Sequence, residues 1–296
     1  MNKRYIELIK EMHLGKCIMI DGATGTELER RGVPQIPNAW NGGGALSHPE
    51  ILEEIHKEYI ELGARIIITN TFATGKHTLE DANQIHNFEK LNSQGVLIAK
   101  RACKVSNKNS LIAGGISYWT FTNNKPPIET LKSNVKDQVL IFKNNGVDLL
   151  ILEMMEDIER MMATLEGAKT VNLPIWVGLS CKKDSFGKVV LLSGDPLEKA
   201  IDNLNNKKID VINIMHTEVP LINSCLDILQ NKWKGLIGVY AHSGEMEKTK
   251  WTFEEVMSPE NYSKYVQEWI ERGINLIGGC CGITREHISY ISENNF

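Results

Sequence analysis

The 296-residue sequence has no excess of positive charge and no apolar run long enough to cross a membrane. Lys and Arg number 33 against 37 Asp and Glu, which gives a formal net charge of -4 at pH 7. Nucleic-acid-binding proteins usually present a basic surface that releases counterions from phosphates. A bilayer span needs about 20 consecutive apolar residues. We therefore expect neither a nucleic acid nor a membrane among the partners.

Cysteine is scarce as well. The six cysteines are too few for a disulfide-stabilised scaffold in a chain of this length, and a reducing compartment keeps them as thiols. The first twelve residues mix charged and apolar side chains and lack the basic and apolar segments of a secretory signal. The default expectation is a cytoplasmic protein, in which cysteine chemistry is metal binding or nucleophilic.

What the sequence does contain is a regular alternation of two patterns. Short apolar runs of strand length alternate with longer stretches whose apolar residues recur every three or four positions, as in amphipathic helices. The runs are 17–20, 65–69, 111–114, 147–152, 175–179, 211–214, 236–240 and 274–277. Continuous apolar strands joined by helical crossovers indicate a parallel sheet covered by helices. Eight such units and no linker-like segment predict an α/β fold, a (β/α)8 TIM barrel that forms one domain over 1–296.

Residues that begin and end helices support this division. Ser258 followed by Pro259 predicts a helix start, and Gly146 and Gly273 predict helix ends just before strands. The longest predicted loops, 115–128 and 241–257, both follow strands. A barrel of this type builds its active site from such loops, so function is expected at that end.

Polar side chains follow three of the strands. Asp21 comes directly after the first strand, where it either forms a turn or contacts a ligand. Residues 69–71 after the second strand are equally compatible with strand-end hydrogen bonding and with ligand contacts. Glu153 follows four apolar residues of the fourth strand. Because a buried carboxylate is costly without a partner or a wet pocket, a site role is favoured for Glu153.

Two adjacent cysteines, Cys280 and Cys281, follow the last strand between glycines. Neighbouring Cα atoms lie about 3.8 Å apart, which is less than the roughly 4.4 to 6.8 Å that a disulfide usually spans. A bond between the two is therefore not expected. Two alternatives stay open: both thiolates bind one metal ion, or both side chains pack the barrel top as small hydrophobic groups.

A metal site needs further ligands, since catalytic zinc typically has three from the protein and one open position. His216 lies just beyond the sixth strand, where its imidazole either binds an ion or serves as a hydrogen-bonded structural group. Cys181, after the fifth strand, is a spare thiol that could approach the same point. His242, after the seventh strand, is an alternative ligand or a substrate contact.

Taken together and in order, these segments resemble the homocysteine S-methyltransferase family over almost the whole chain. The resemblance is carried by Asp-Gly-Ala-Thr-Gly-Thr-Glu-Leu at 21–28, Thr-Asn-Thr-Phe at 69–72, Glu153, the segment 239–245 and Gly-Gly-Cys-Cys-Gly at 278–282. It implies a zinc-dependent barrel that methylates the sulfur of homocysteine and so produces methionine. The methyl group would come from a sulfonium, ammonium or corrinoid donor.

The resemblance also implies roles for single residues. Cys280 and Cys281 become Zn²⁺ ligands, Asp21 and Glu153 hold the ammonium group of the acceptor amino acid, and Thr71 lines the same pocket. A zinc-bound thiol is deprotonated, whereas a free thiol with a pKa near 8.5 is mostly protonated at pH 7. The implied partners are a small thiol acceptor and a methyl donor, which is either free or carried by a separate corrinoid protein.

Two segments depart from the family's pattern. Where the family has a third cysteine ligand, this chain has Met215, and His216 is the predicted replacement because imidazole suits zinc better than a thioether. After the third strand, Tyr118 and Trp119 either face a cationic methyl donor or anchor the loop. These departures leave two further hypotheses, a family member with a different acceptor or donor and a non-catalytic barrel that binds an amino acid or a metal.

Overall fold

A computed structural model describes residues 2–247, 250–252 and 256–296 of the chain. Eight parallel strands form one sheet. The strands are β1 Ile18–Met19, β2 Ile66–Ile68, β3 Leu111–Ile116, β4 Leu149–Met155, β5 Ile175–Leu179, β6 Val211–Glu218, β7 Leu236–His242 and β8 Leu276–Ile277. In this sheet β1 pairs with β8, and the order continues β7, β6, β5, β4, β3, β2. A parallel bridge between Ile20 and Ile66 joins the two ends of the sheet, so the predicted (β/α)8 barrel is confirmed.

The described residues also form α-helices, most of which surround the barrel. They are α1 Lys3–His13, α2 Thr24–Arg30, α3 Gly44–Ser47, α4 Pro49–Glu61, α5 Lys76–Asp81, α6 Phe88–Val105, α7 Ile128–Asn145, α8 Ile158–Ala168, α9 Leu197–Leu204, α10 Ile222–Lys232, α11 Pro259–Glu271 and α12 Arg285–Asn295. None of these described helices has both the length and the apolar character that crossing a bilayer demands.

The predicted helix limits are confirmed. The hydroxyl of Ser258 accepts a hydrogen bond from the Asn261 amide, and Pro259 occupies the first turn of α11. Gly146 ends α7 with a φ of 82°, and Gly273 follows α11 with a φ of 83°. Both glycines adopt the left-handed backbone for which a side chain carries a steric cost.

Apolar residues fill two layers, one inside the barrel and one between the sheet and its helices. The inner layer is closed at the amino-terminal end by α1, which buries Tyr5, Leu8 and Met12. The Tyr5 hydroxyl accepts from the Trp176 indole at 2.9 Å and donates to Asp210 at 2.6 Å. Because α1 covers this end, an internal cavity can open only at the carboxyl ends of the strands.

Two hairpins extend loops at that end, and neither was predicted. Cys181–Lys183 pairs with Val189–Leu191 after β5, and Glu245–Glu247 pairs with Lys250–Thr252 after β7. The second hairpin falls within the long loop predicted at 241–257. The other predicted loop, 115–128, connects the end of β3 to α7 as expected.

Replacing His56 of α4 with leucine is expected to stabilise the fold, increasingly so at acid pH. The ring is fully buried, and neither nitrogen has a hydrogen-bond partner among the described residues. Burial lowers the pKa of His56 from 6.5 to about 3. Between these values the unfolded chain binds a proton that the native chain does not. The free energy of unfolding therefore falls by about 1.4 kcal/mol per pH unit below pH 6.5, and the effect is absent above it.

Urea unfolding of the wild type and of His56→Leu at pH 7 and pH 5 measures this effect. At pH 7 we expect a gain of about 1–3 kcal/mol, because an unpaired buried polar group is removed. At pH 5 the gain should be larger by about 2 kcal/mol. His86→Leu, at an exposed position, is the matched control. If both variants keep the pH slope of the wild type, the assignment of this slope to His56 is wrong.

Candidate metal centre and cavity

A cavity of about 390 Å³ opens at the carboxyl ends of the strands, which is the end at which function was expected. Five of the six residues predicted for the site line it, and they come from four different strand ends. These five are Asp21, Glu153, His216, Cys280 and Cys281. The sixth, Thr71, is buried and does not line the cavity.

Three of the lining residues bring metal-binding atoms together. The ligand atoms of His216, Cys280 and Cys281 all lie within 4.8 Å of one another. Cys280 Sγ is 3.5 Å from His216 Nδ1 and 4.0 Å from Cys281 Sγ. Tetrahedral zinc, with bonds of about 2.3 Å to sulfur and 2.0 Å to nitrogen, separates such atoms by about 3.5 and 3.8 Å respectively. These two separations match a zinc ion, and the remaining pair, His216 and Cys281, lies within 4.8 Å, so the three side chains fit the ion with at most a small adjustment.

The two thiols differ in acidity. A hydrogen bond shared with Cys281 and a second one with His216 hold the pKa of Cys280 well below its usual value, although burial opposes this shift. The shared hydrogen bond and burial raise the pKa of Cys281. Both cysteines are free thiols, as expected. Cys280 is therefore the more acidic thiol of the pair, and a bound cation favours deprotonation of both.

His216 reaches the cysteines by means of a β-bulge. Met215 of β6 pairs with Tyr240 of β7, but the next pair is Glu218 with His242, so β6 has one extra residue. His216 lies within this bulge and has a φ of 42°, a backbone conformation that residues other than glycine rarely adopt. Bulges next to active sites commonly redirect a side chain, and here the imidazole faces Cys280.

Met215 is held by the sheet. Its side chain lines the cavity, but its sulfur accepts a hydrogen bond from the Met154 amide at 3.0 Å, and the Ser180 hydroxyl donates to the Met215 carbonyl at 3.0 Å. These contacts hold the side chain and engage its sulfur within the sheet. The geometry therefore agrees with His216, rather than Met215, as the replacement for the family's third cysteine.

The two alternative ligands lie in different surroundings. The ring of His242 is tilted against that of His216, with centroids 4.6 Å apart, and burial lowers its pKa to about 3. It lies beside the three-residue set without belonging to it. Cys181 packs in the outer core and shares a hydrogen bond with Cys225, which raises its pKa. The idea that Cys181 approaches the cavity is therefore wrong.

Two buried acids face the same cavity. Asp21 is 2% exposed and Glu153 is 8% exposed. The Asp21 carboxylate accepts from the Ile68 amide at 2.8 Å, which ties β1 to β2 and does not form a local turn. Burial raises the pKa of both acids, and the negative charge of Cys280 adds to this shift. Since no Lys or Arg lines the cavity in the described part of the chain, a cationic ligand is the natural partner for these acids.

Glu153 owes its position to a second bulge. The register between β4 and β5 shifts between Leu152 and Met155, and Met154 has a φ of 57°. Gly115 on β3 leaves room for the carboxylate, because a Cβ at this position would lie 2.3 Å from Glu153 Oε2. The sequence indicated Glu153, but neither the bulge nor the need for a glycine opposite it.

Thr71 is fully buried and does not line the cavity. Its hydroxyl donates to the Gly115 carbonyl at 2.8 Å and lies 2.7 Å from the hydroxyl of Thr69. It therefore supports the cavity wall next to Glu153. A direct contact between Thr71 and a substrate stays a prediction.

An aromatic wall completes the cavity, and sequence reasoning identified little of it. Its members are Trp40, Phe72, Trp119 and Phe121. Trp119 and Phe121 meet edge to face with centroids 6.4 Å apart. Tyr118 instead anchors its loop, with a hydroxyl that accepts from the amides of residues 156 and 157. Phe72, Trp119 and Phe121 follow the ends of β2 and β3 within a few residues, and this position is the sequence signal from which they could have been predicted to line the cavity.

Comparison with known proteins agrees with this geometry. A family model described as homocysteine S-methyltransferase matches residues 18–294. Homocysteine S-methyltransferase 1 of Zea mays is 24% identical over 94% of this chain and 94% of its own. A selenocysteine methyltransferase of Astragalus bisulcatus is 27% identical over 93% of this chain and 91% of its own. The metallated homocysteine methyltransferase MmuM of Escherichia coli shares the fold, with a TM-score of 0.77, 20% identity and coverage of 95% and 96%.

Proposed function

Because the chain belongs to the homocysteine S-methyltransferase family, we propose that it moves a methyl group from a small cationic donor to the thiol of homocysteine, giving methionine. The metal in this proposal is Zn²⁺, with His216, Cys280 and Cys281 as its ligands. One observation carries the proposal: the ligand atoms of these three residues lie within 4.8 Å of one another at the wall of the cavity.

The residues around this centre have separate roles in binding the metal and the acceptor. Zinc, when bound, keeps the acceptor thiol deprotonated at neutral pH. Asp21 and Glu153 bind the ammonium group of homocysteine, because a cation makes the charged form of a buried carboxylate favourable. His216 is a neutral ligand, so the three ligands bring two negative charges, one fewer than three thiolates. Because these residues line one cavity, they would hold the acceptor sulfur close to the donor.

The aromatic wall supports a cationic donor. Faces of Trp and Phe attract sulfonium and ammonium groups, and the described lining offers no Lys or Arg to bind an anionic one. A cavity of about 390 Å³ also favours a small free donor over a corrinoid carried by a separate protein. Membership of a methyltransferase family favours catalysis over a barrel that only binds an amino acid or a metal.

Metal analysis followed by a screen of donors tests the proposal. Protein purified without added metal should contain about one zinc per chain. It should form methionine from homocysteine with at least one of S-methylmethionine, S-adenosylmethionine and betaine. Protein that neither contains zinc nor takes it up would overturn the metal assignment. Zinc-loaded protein that methylates other thiols but never homocysteine would overturn the acceptor.

Adding a methyl group at Gly115 is expected to weaken binding of the acceptor. In Gly115→Ala the new Cβ would lie 2.3 Å from Glu153 Oε2 and 2.9 Å from Ile68 Cγ2, so the carboxylate must move. We expect KM for homocysteine to rise about tenfold, which corresponds to about 1.4 kcal/mol. Overpacking should also cost about 1–3 kcal/mol of stability. Steady-state kinetics and thermal unfolding measure the two effects.

The neighbouring glycine provides a matched control. A Cβ on Gly114 would lie 2.5 Å from the ring of Phe142 on α7, so Gly114→Ala overpacks the outer layer and leaves the cavity alone. It should lose stability without a change in KM. Equal KM values in the two variants would contradict the placement of Glu153 at the acceptor.

A further inference from the structure

We propose that His242 is a positioning residue that holds His216 in the orientation needed for metal binding. The proposal rests on the proposed metal site and goes beyond it, because His242 lies outside the three-residue ligand set. The rings of the two histidines are in contact, with centroids 4.6 Å apart and planes tilted by 43°. Because the His242 ring packs against the His216 ring, it restricts the rotation of the His216 imidazole.

The backbone at His242 is fixed to the cysteine pair. The Cys280 amide donates to the Ala241 carbonyl at 2.8 Å, and the Ser243 amide donates to the Cys281 carbonyl at 3.0 Å. These two hydrogen bonds lie on either side of His242 in the sequence. The end of β7 and the cysteines therefore form one rigid unit, and His242 extends from this unit towards the third ligand.

His216 needs such support because its backbone is strained. A residue other than glycine with a φ of 42° is unfavourable unless its surroundings compensate. Towards β5, Thr217 supplies one brace: its hydroxyl donates to the Met215 carbonyl at 3.0 Å and accepts from the Cys181 amide at 2.9 Å. Towards β7, His242 supplies the other support, because its ring packs against the His216 ring with centroids 4.6 Å apart.

The chemistry of the site makes the orientation of His216 important. Its Nδ1 atom faces Cys280 Sγ at 3.5 Å, which is about the separation of two ligands on one zinc ion. A modest rotation of the ring would remove Nδ1 from this position. Residues that orient a metal ligand commonly change metal affinity by about 10–100-fold when they are replaced. We expect His242 to fall in this range.

Zinc affinity and the absorption spectrum of the cobalt-substituted protein test the proposal. His242→Ala should weaken zinc binding about 10–100-fold in competition with a chromophoric chelator. Its cobalt spectrum should shift as the nitrogen ligand is displaced. His242→Phe keeps an aromatic ring beside His216 and should recover part of the affinity. Thermal unfolding should stay close to that of the wild type, and His48→Ala, outside the cavity, should change neither affinity nor spectrum.

The outcomes separate this inference from the proposed function. If the wild type binds zinc and both His242 variants keep its affinity and spectrum, the inference is wrong and the proposed function stands. A second outcome would make His242 itself a metal ligand. In that case His242→Ala loses as much zinc affinity as His216→Ala, and the cobalt spectra show that the wild type has one nitrogen ligand more than this variant besides His216. The positioning role is then wrong. If the wild type binds no metal, the proposed function fails and the inference fails with it.

Discussion

Zinc content and methyl transfer are both expected to disappear when Cys280 and Cys281 are replaced together by serine. Two of the three ligands are then lost, and the remaining imidazole cannot retain the ion. Without the metal the acceptor thiol is mostly protonated at pH 7. Metal assistance is worth several kcal/mol, so kcat/KM should fall about a thousandfold or more. Metal analysis and product formation in the same samples measure the effect.

A double variant elsewhere controls for the loss of two thiols. Cys17 precedes β1 at the end of the barrel opposite the cavity, and Cys103 lies on α6 with its thiol towards the Ser110 carbonyl. Cys17→Ser with Cys103→Ser should retain zinc and activity. If the Cys280 and Cys281 double variant keeps its zinc, the metal lies elsewhere in the molecule. If it loses zinc but keeps its activity, the metal is not needed for methyl transfer.

Replacing Glu153 with glutamine is expected to reduce kcat/KM for homocysteine by a factor of about 30 to 5,000. The carboxylate is buried at the cavity wall, and losing one partner of a buried charge pair costs about 2–5 kcal/mol. The change keeps the shape of the side chain and removes only its charge. Zinc content should stay at the wild-type level, because Glu153 is not among the metal ligands. Kinetics at varied homocysteine concentration measure the loss.

A second acceptor shows whether the loss comes from the ammonium group. A thiol that has the carboxylate of homocysteine but no amino group should react slowly with the wild type. With this thiol, Glu153→Gln should be nearly as active as the wild type, because the interaction that the variant lacks is absent from both. Glu218→Gln, at an exposed acid at the end of β6, should change neither reaction. Equal losses with both acceptors would contradict an ammonium-binding role for Glu153.

Local pattern was sufficient to predict the fold and to select five residues that line the cavity. Each apolar run from 17–20 to 274–277 corresponds to a strand of the barrel. The spacing of apolar side chains within a segment shows which of its faces are buried, so each strand could be predicted from its own residues. Parallel barrel strands place their carboxyl ends on one face. Asp21, Glu153, His216 and the cysteine pair could therefore be assigned to one site without knowledge of any distance.

The amino-acid sequence was enough to predict the eight-stranded barrel, the end at which the cavity opens and several of the polar side chains there. How these side chains converge is visible only in the folded structure. The bulges that present Glu153 and His216 arise from the register between neighbouring strands, and register depends on pairing between segments far apart in the chain. The burial of Thr71 and the contact between His242 and His216 likewise depend on packing across different strands. Such packing leaves no periodic signal in the sequence, since it depends on the shape of side chains that meet only after folding.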